Sequence, residues 1–257
     1  MAPSGESPDF VQNILESLRE KQHHYRGGEH VYDSLGSKRT ATLIGSLGLY
    51  VTEVVDTVMC ISEEEDREIE QFNTSTTRLR QPYDSPKSLT AENGITYAEI
   101  NDAAINDNLV AFDVEGSDIN AYYRTGFPGR LNVGRVRTTS AMQLMNDAGF
   151  YTASTILLVS DTPNFEQKIR QDRDAAPEKF ADEAYETLEA LECAERNIQD
   201  RSMNFVEVVS GPEGIEKAAR KVIDIVWGNT GSFMSIPEAQ HYINTIRTTL
   251  EHFQVTK

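Results

Sequence analysis

The sequence predicts a mixed α/β fold, rich in helix, with a helical amino-terminal part followed by a sheet of alternating strands and helices. Three observations predict it. Apolar residues recur at three- and four-residue spacing through the first part of the chain, the period of an amphipathic helix. From Asn108 onward, short β-branched and apolar runs bounded by turn residues read as strands. In the carboxyl-terminal half these runs alternate with helix-start signals, the pattern of parallel strands covered by helices. The implied organisation is a helical segment or arm over 1–73, a polar linker over 74–89 and an α/β domain over 90–257.

The elements follow in order. Ser7-Pro8-Asp9 is a cap with proline at the first helical position, and Phe10, Val11, Ile14, Leu15 and Leu18 share one face. "YRGG" (Tyr25–Gly28) ends that helix. Ile44, Leu47, Val51, Val54, Val58 and Ile61 form an a/d seam, which predicts one long helix with a polar extension toward Phe72. That helix packs within the subunit or on a neighbouring one, and its β-branched content leaves a strand pair as the alternative. "NTSTTRLRQPYDSPKSL" (Asn73–Leu89) is polar, holds two prolines and reads as a loop. A short helix near Tyr97–Ala104 precedes strands at Asn108–Val114, Ile119–Tyr123 and Arg130–Val136. A helix over Thr139–Ala148 leads to the apolar strand Thr152–Ser160. Thr162-Pro163 opens the next helix. Ala176–Asp200 is a long helix with Phe180, Ala184, Leu188, Leu191 and Ile198 inward, and Asn204–Val209 is a strand. Ser210 with Glu213, and Ser235 with Glu238, predict capping boxes on the last two helices. The first of these buries Ile215, Ala219, Val222 and Val226; the second buries Tyr242, Ile243, Ile246, Leu250 and Phe253. A helix ending so near Lys257 predicts a docked terminus.

Composition sets limits on function. The 257 residues are 39% hydrophobic, enough for a core. The most apolar run, Leu43–Ile61, contains Glu53 and Asp56, so no transmembrane helix is expected. "MAPSGESPDF" has neither a basic n-region nor an apolar h-region, so no signal peptide is expected. Cys60 and Cys193 sit at apolar positions and read as buried free thiols of an intracellular protein. With 41 acids against 24 bases, the surface repels nucleic acid and anionic membrane at long range. Acid excess with scarce lysine also suits a salt-rich cytoplasm.

Against that background, "RTGFPGRLNVGRVRTTS" (Arg124–Ser140) stands out. No acid occurs from Ile119 to Asn146, a window holding Arg124, Arg130, Arg135 and Arg137. Gly126, Gly129 and Gly134 allow tight turns and close backbone approach. A guanidinium is a planar fork suited to carboxylate or phosphate. The arginines pair with acids of their own chain, with an acidic face of a neighbouring subunit, or with a phosphate-bearing ligand. The spacing matches neither a P-loop nor a dinucleotide fingerprint, and no cofactor is implied. A helix beginning just after the run would accept an anion at its amino end.

Other clusters point less far. "HHYRGGEH" brings His23, His24, Glu29 and His30 close in sequence, but the spacing fits no established metal motif, and exposed or capping histidines are the plainer reading. "STILLVSDTP" (Ser154–Pro163) resembles the strand and turn of the purine nucleoside phosphorylase and AMP nucleosidase superfamily. That resemblance implies a purine contact for Asp161. It covers ten to twenty residues, and the family's Met-Glu pair is absent from "TTSAMQLMNDAGF". "GPEGIEKAARKVIDIV" (Gly211–Val226) has the Gly-x-x-Gly of small KH-type RNA-binding modules, which serves equally as a helix start. No Gly-x-Ser-x-Gly elbow or Cys-His signature appears.

Two functional expectations follow. The first is a non-enzymatic, self-assembling structural protein such as a virion coat, capsid or tail component, a homo-oligomer joined through the arginine loop, cytoplasmic or assembled in the cytoplasm. The alternative is an α/β enzyme for a phosphorylated or nucleoside-like small molecule, with the same loop as its anion site.

Overall fold

In the computed structural model the described residues are 6–22, 24–45, 50–79, 89–136, 138–160, 162–175, 177–197, 203–228 and 234–253. They form a mixed α/β fold of two compact units, each assembled from several stretches of chain. The first comprises 1–39, 70–132 and 140–153, and the second 40–69, 133–139 and 154–257.

The first unit opens with α1 (Pro8–Gln22) and α2 (Glu29–Leu35). Val11, Ile14, Leu15 and Leu18 of α1 are buried, while Phe10 stays exposed at the edge of the predicted face. The unit's sheet joins β3 (Ser75–Thr76), β4 (Leu109–Glu115) and β5 (Asp118–Tyr123) in the order β3-β5-β4, both pairings antiparallel. Short β3 lies in the stretch expected to be loop, of which 80–88 fall outside the described residues. Helix α4 (Tyr97–Ile105) starts at a full capping box, with Thr96 and Glu99 satisfying each other's backbone donors. Its buried Ile100 and Ala104 join Leu15, Leu18, Phe112 and Ile119 in one core. Tyr25 closes that core: its hydroxyl donates to the Leu109 carbonyl and accepts from the Leu109 amide, at 2.9 and 3.0 Å. The predicted stop after α1 is therefore also a clamp on β4.

The second sheet has the order β2-β6-β1-β7-β8, from β1 (Arg39–Gly45), β2 (Ile69–Gln71), β6 (Leu131–Arg135), β7 (Thr152–Val159) and β8 (Met203–Glu207). β7 and β8 pair in parallel. β1 and β6 also run the same way, through Arg39 N–H to the Arg130 carbonyl and Val136 N–H to the Leu43 carbonyl. The first residues of β1, β6 and β7 belong to the first unit. Helix α5 (Thr139–Asp147) links β6 to β7. Helices α6 (Thr162–Ala175) and α7 (Pro177–Asn197) link β7 to β8. Helices α3 (Val51–Glu64), α8 (Pro212–Trp227) and α9 (Ile236–His252) complete the second unit. There α8 packs on α3 and β8, and α9 on α6 and α7. Burial of Ile156, Leu157, Leu158 and Val159 matches the continuous apolar run of a parallel strand covered on both faces.

Four sequence expectations are corrected. The seam from Leu43 to Ile61 is a strand and a helix, not one helix: β1 ends at Gly45 and α3 begins at Val51. The β-branched residues before Gly45 favour strand, and the seam period survives only where Val51, Val54, Val58 and Ile61 line the buried face of α3. The polar extension leaves helix at Glu65, and Asp66 adopts a positive φ of 51° before β2. Cys193 is buried as expected, but Cys60 is exposed, two residues past Val58 and off the apolar face. The capping box forms at Ser235–Glu238, whereas α8 is capped by Gly211 at φ 97°. A side chain at Gly214 would meet the Val209 carbonyl at 2.1 Å, so this first turn requires glycine there. The carboxyl-terminal 254–257 and Ile198 lie outside the described residues. Among the described residues no helix is long and apolar enough to cross a membrane.

Candidate anion-binding site

A recess of about 540 Å³ in the first unit is lined by Ser37, Lys38, Arg39, Pro128, Gly129, Arg130 and Tyr151. Three of the seven are cations and none is an acid. Backbone hydrogen bonds hold the three contributing segments. The Lys38 amide bonds to the Leu35 carbonyl at 2.8 Å, turning the chain out of α2. The Arg39 amide bonds to the Arg130 carbonyl at 2.8 Å, and the Tyr151 amide to the Lys38 carbonyl at 2.9 Å.

Asn132 fastens the arginine loop from beneath. Its side chain is fully buried, accepts from the Gly129 amide at 3.2 Å, and donates to the carbonyls of Gly129 (2.9 Å) and Arg39 (3.2 Å). One amide group thereby sets the spacing between Arg39 and Arg130. Phe127, also fully buried, anchors the loop from the other side, with its ring 5.1 Å from Phe72 and 5.0 Å from Phe150. Glycine is required in this loop. A side chain on Gly126 would meet the Asn73 carbonyl at 2.7 Å, and one on Gly129 would meet the stem of Glu70 at 2.8 Å.

The electrostatics favour an anion. Lys38 is half-buried, and its ammonium donates to the Phe127 carbonyl. Burial pushes its pKa below the ordinary lysine value. Among the described residues no carboxylate pairs with Lys38 or Arg130. Arg39 places its guanidinium 5.4 Å from the centroid of the Tyr151 ring, which is 67% exposed. A phosphate seated about 4 Å from one such cation gains on the order of 4 kcal/mol at a surface-like dielectric, before desolvation.

The other sequence candidates fall as follows. Arg124 opens a single 3-10 turn (Arg124–Gly126), is exposed, and does not line the recess. Arg135 ends β6 in the second unit, and Gly134 lies inside that strand rather than at a turn. Arg137 and Asp161 are outside the described residues, as is His23. Just before Asp161, Ser160 is fully buried and its hydroxyl has no hydrogen-bond partner among the described residues. His30 bonds Asn108 at 2.8 Å, and His24 lines a separate polar recess of about 340 Å³ with Arg26 and Asp147. Lys38, Arg39 and Tyr151 were not singled out by sequence. The signal that marks the first two is a second acid-free window, Ser34 to Thr52, with Lys38 and Arg39 as its only charges.

No family model matches the chain, and no curated protein matches it either. Among solved structures it is similar to a guanylate kinase from Anaplasma phagocytophilum, with a TM-score of 0.48 and 11% identity over 87% of this chain and 98% of that one. It is also similar to a chain of the PezAT chromosomal toxin-antitoxin system of Streptococcus pneumoniae, with a TM-score of 0.29 and 10% identity over the whole of both. Likeness at this level assigns no activity. The expectation of a virion coat, capsid or tail component is corrected at this point. Of the arginines meant for subunit contacts, Arg130 lines the cationic recess and Arg124 and Arg135 do not, while Arg137 lies outside the described residues.

Proposed function

We propose that the protein is an α/β enzyme whose ligand is a phosphorylated small molecule, bound through Lys38, Arg39 and Arg130. The observation that carries this is the composition of the recess, which holds three cations, no acid, and a volume of about 540 Å³. Sites for small molecules usually span about 300–1,000 Å³, with a few convergent polar groups fixing orientation. Among the described residues the half-buried Lys38 ammonium meets a carbonyl and no carboxylate, which makes its charge costly to bury. A phosphate supplies the missing counter-charge. Arg130, exposed and without a carboxylate partner among the described residues, offers its fork for bidentate contact. These side chains bind and orient; the recess assigns no group to bond making or breaking.

Titration calorimetry with inorganic phosphate and ribose 5-phosphate tests the proposal. Saturable binding is expected, weakened about tenfold by Arg130→Ala at an unchanged melting temperature. Absence of heat with both compounds, in protein shown to be folded, would refute it.

A further inference from the structure

We infer that Tyr151 is a stacking platform for a nucleobase, so that the phosphorylated ligand is a nucleotide rather than a sugar phosphate or free phosphate. The inference rests on the phosphate-site reading above and goes one step beyond it. Tyr151 lines the same recess as the three cations, and its main chain is fixed by the bond to Lys38. The residue is 67% exposed, so the ring contributes little to any core. A lone exposed aromatic is ordinary. One held against a guanidinium, at the rim of a cationic recess, is a flat apolar surface one short step from a phosphate position.

The Arg39 guanidinium over the ring orients the side chain and adds cation–π attraction. Stacking of a base on an aromatic ring is tolerant of base identity, since every base presents a π-face. The recess is also larger than a bare phosphate needs, and it has room for a nucleoside monophosphate, which brings both an anion and a ring.

The test compares adenosine 5′-monophosphate with ribose 5-phosphate on the full chain by titration calorimetry. Wild-type protein is expected to bind the nucleotide about tenfold more tightly, the gain typical of one stacked base. Tyr151→Leu should erase that advantage while leaving ribose 5-phosphate affinity within about twofold, and Tyr151→Trp should retain it. Because Tyr151 is exposed, both variants are expected to fold, which circular dichroism checks. Equal affinity for the two ligands in the wild type, or a nucleotide preference that survives Tyr151→Leu, overturns the inference while the phosphate site stands. No binding of either ligand overturns both.

Discussion

The guanidinium of Arg39 lies over the ring of Tyr151, 5.4 Å from its centroid, although the two residues are separated by most of the first unit's sequence. They meet because the Tyr151 amide bonds to the carbonyl of Lys38, one residue before Arg39. Replacing Arg39 by lysine keeps the charge and discards the planar fork. Arg39→Lys is expected to weaken binding of ribose 5-phosphate about three- to tenfold, with a melting temperature close to wild type. Calorimetry beside a thermal melt checks both halves.

Asn132 holds Gly129 and Arg39 with three hydrogen bonds from a fully buried amide. Truncation leaves part-buried backbone groups unpaired, each costing up to about 1–3 kcal/mol if no water replaces the bond. Asn132→Ala is expected to destabilise the protein by about 2–3 kcal/mol in urea unfolding. It should also lower phosphate affinity, because the spacing of the cations is lost. A stability change under about 0.5 kcal/mol would show that Asn132 does not set the loop.

Lys38 gives a pH dependence with a definite sign. Burial holds its pKa below 10.5, and only the protonated form attracts phosphate. Affinity is therefore expected to fall as pH rises through that lowered value, earlier than for an ordinary lysine. Ligand binding should take up protons in the same range. The depressed pKa also means the unfolded chain binds the proton more readily. Lys38's contribution to the stability of the ligand-free protein is thus fully present above 10.5 and lost as pH falls through the lowered value. Lys38→Met removes both dependences. Affinity that is flat in the wild type across the alkaline range would contradict the assignment.

Much of the fold was legible because local chemistry and tertiary structure agree. Helix α9 shows this in its capping box at Ser235 and Glu238 and its buried Ile243, Ile246 and Leu250. Strand β7 shows it in the buried apolar run from Ile156 to Val159. Failures occurred where one period covered two elements. Ile44 and Val58 share a seven-residue rhythm, yet β1 ends at Gly45 and α3 begins at Val51. The candidate site was half legible. Arg130 and Gly129 sit in a window whose missing acids were visible. Lys38, Arg39 and Tyr151 reach the same recess through backbone bonds spanning roughly ninety and more residues, which no local pattern encodes.

A second pH effect belongs to Glu195, which Arg247 grips with two bonds of 2.7 Å. That guanidinium holds the carboxyl below its ordinary value of 4.5. Its contribution to stability is fully present above pH 4.5 and is lost as pH falls through the lowered pKa. Partly shielded bidentate pairs contribute about 1 kcal/mol. Glu195→Gln is expected to cost about that much at pH 7 and to converge with wild type in acid, as read from urea midpoints across the range. A gap that persists unchanged into acid would assign the loss to packing instead.

The most direct measurement is a titration of the double variant Lys38→Met/Arg130→Ala with ribose 5-phosphate, beside the wild type at matched salt and pH. We predict saturable one-to-one binding in the wild type and affinity at least about a hundredfold weaker in the variant, at comparable thermal stability. Superimposable curves for the two proteins would contradict the claim that this recess holds the phosphate.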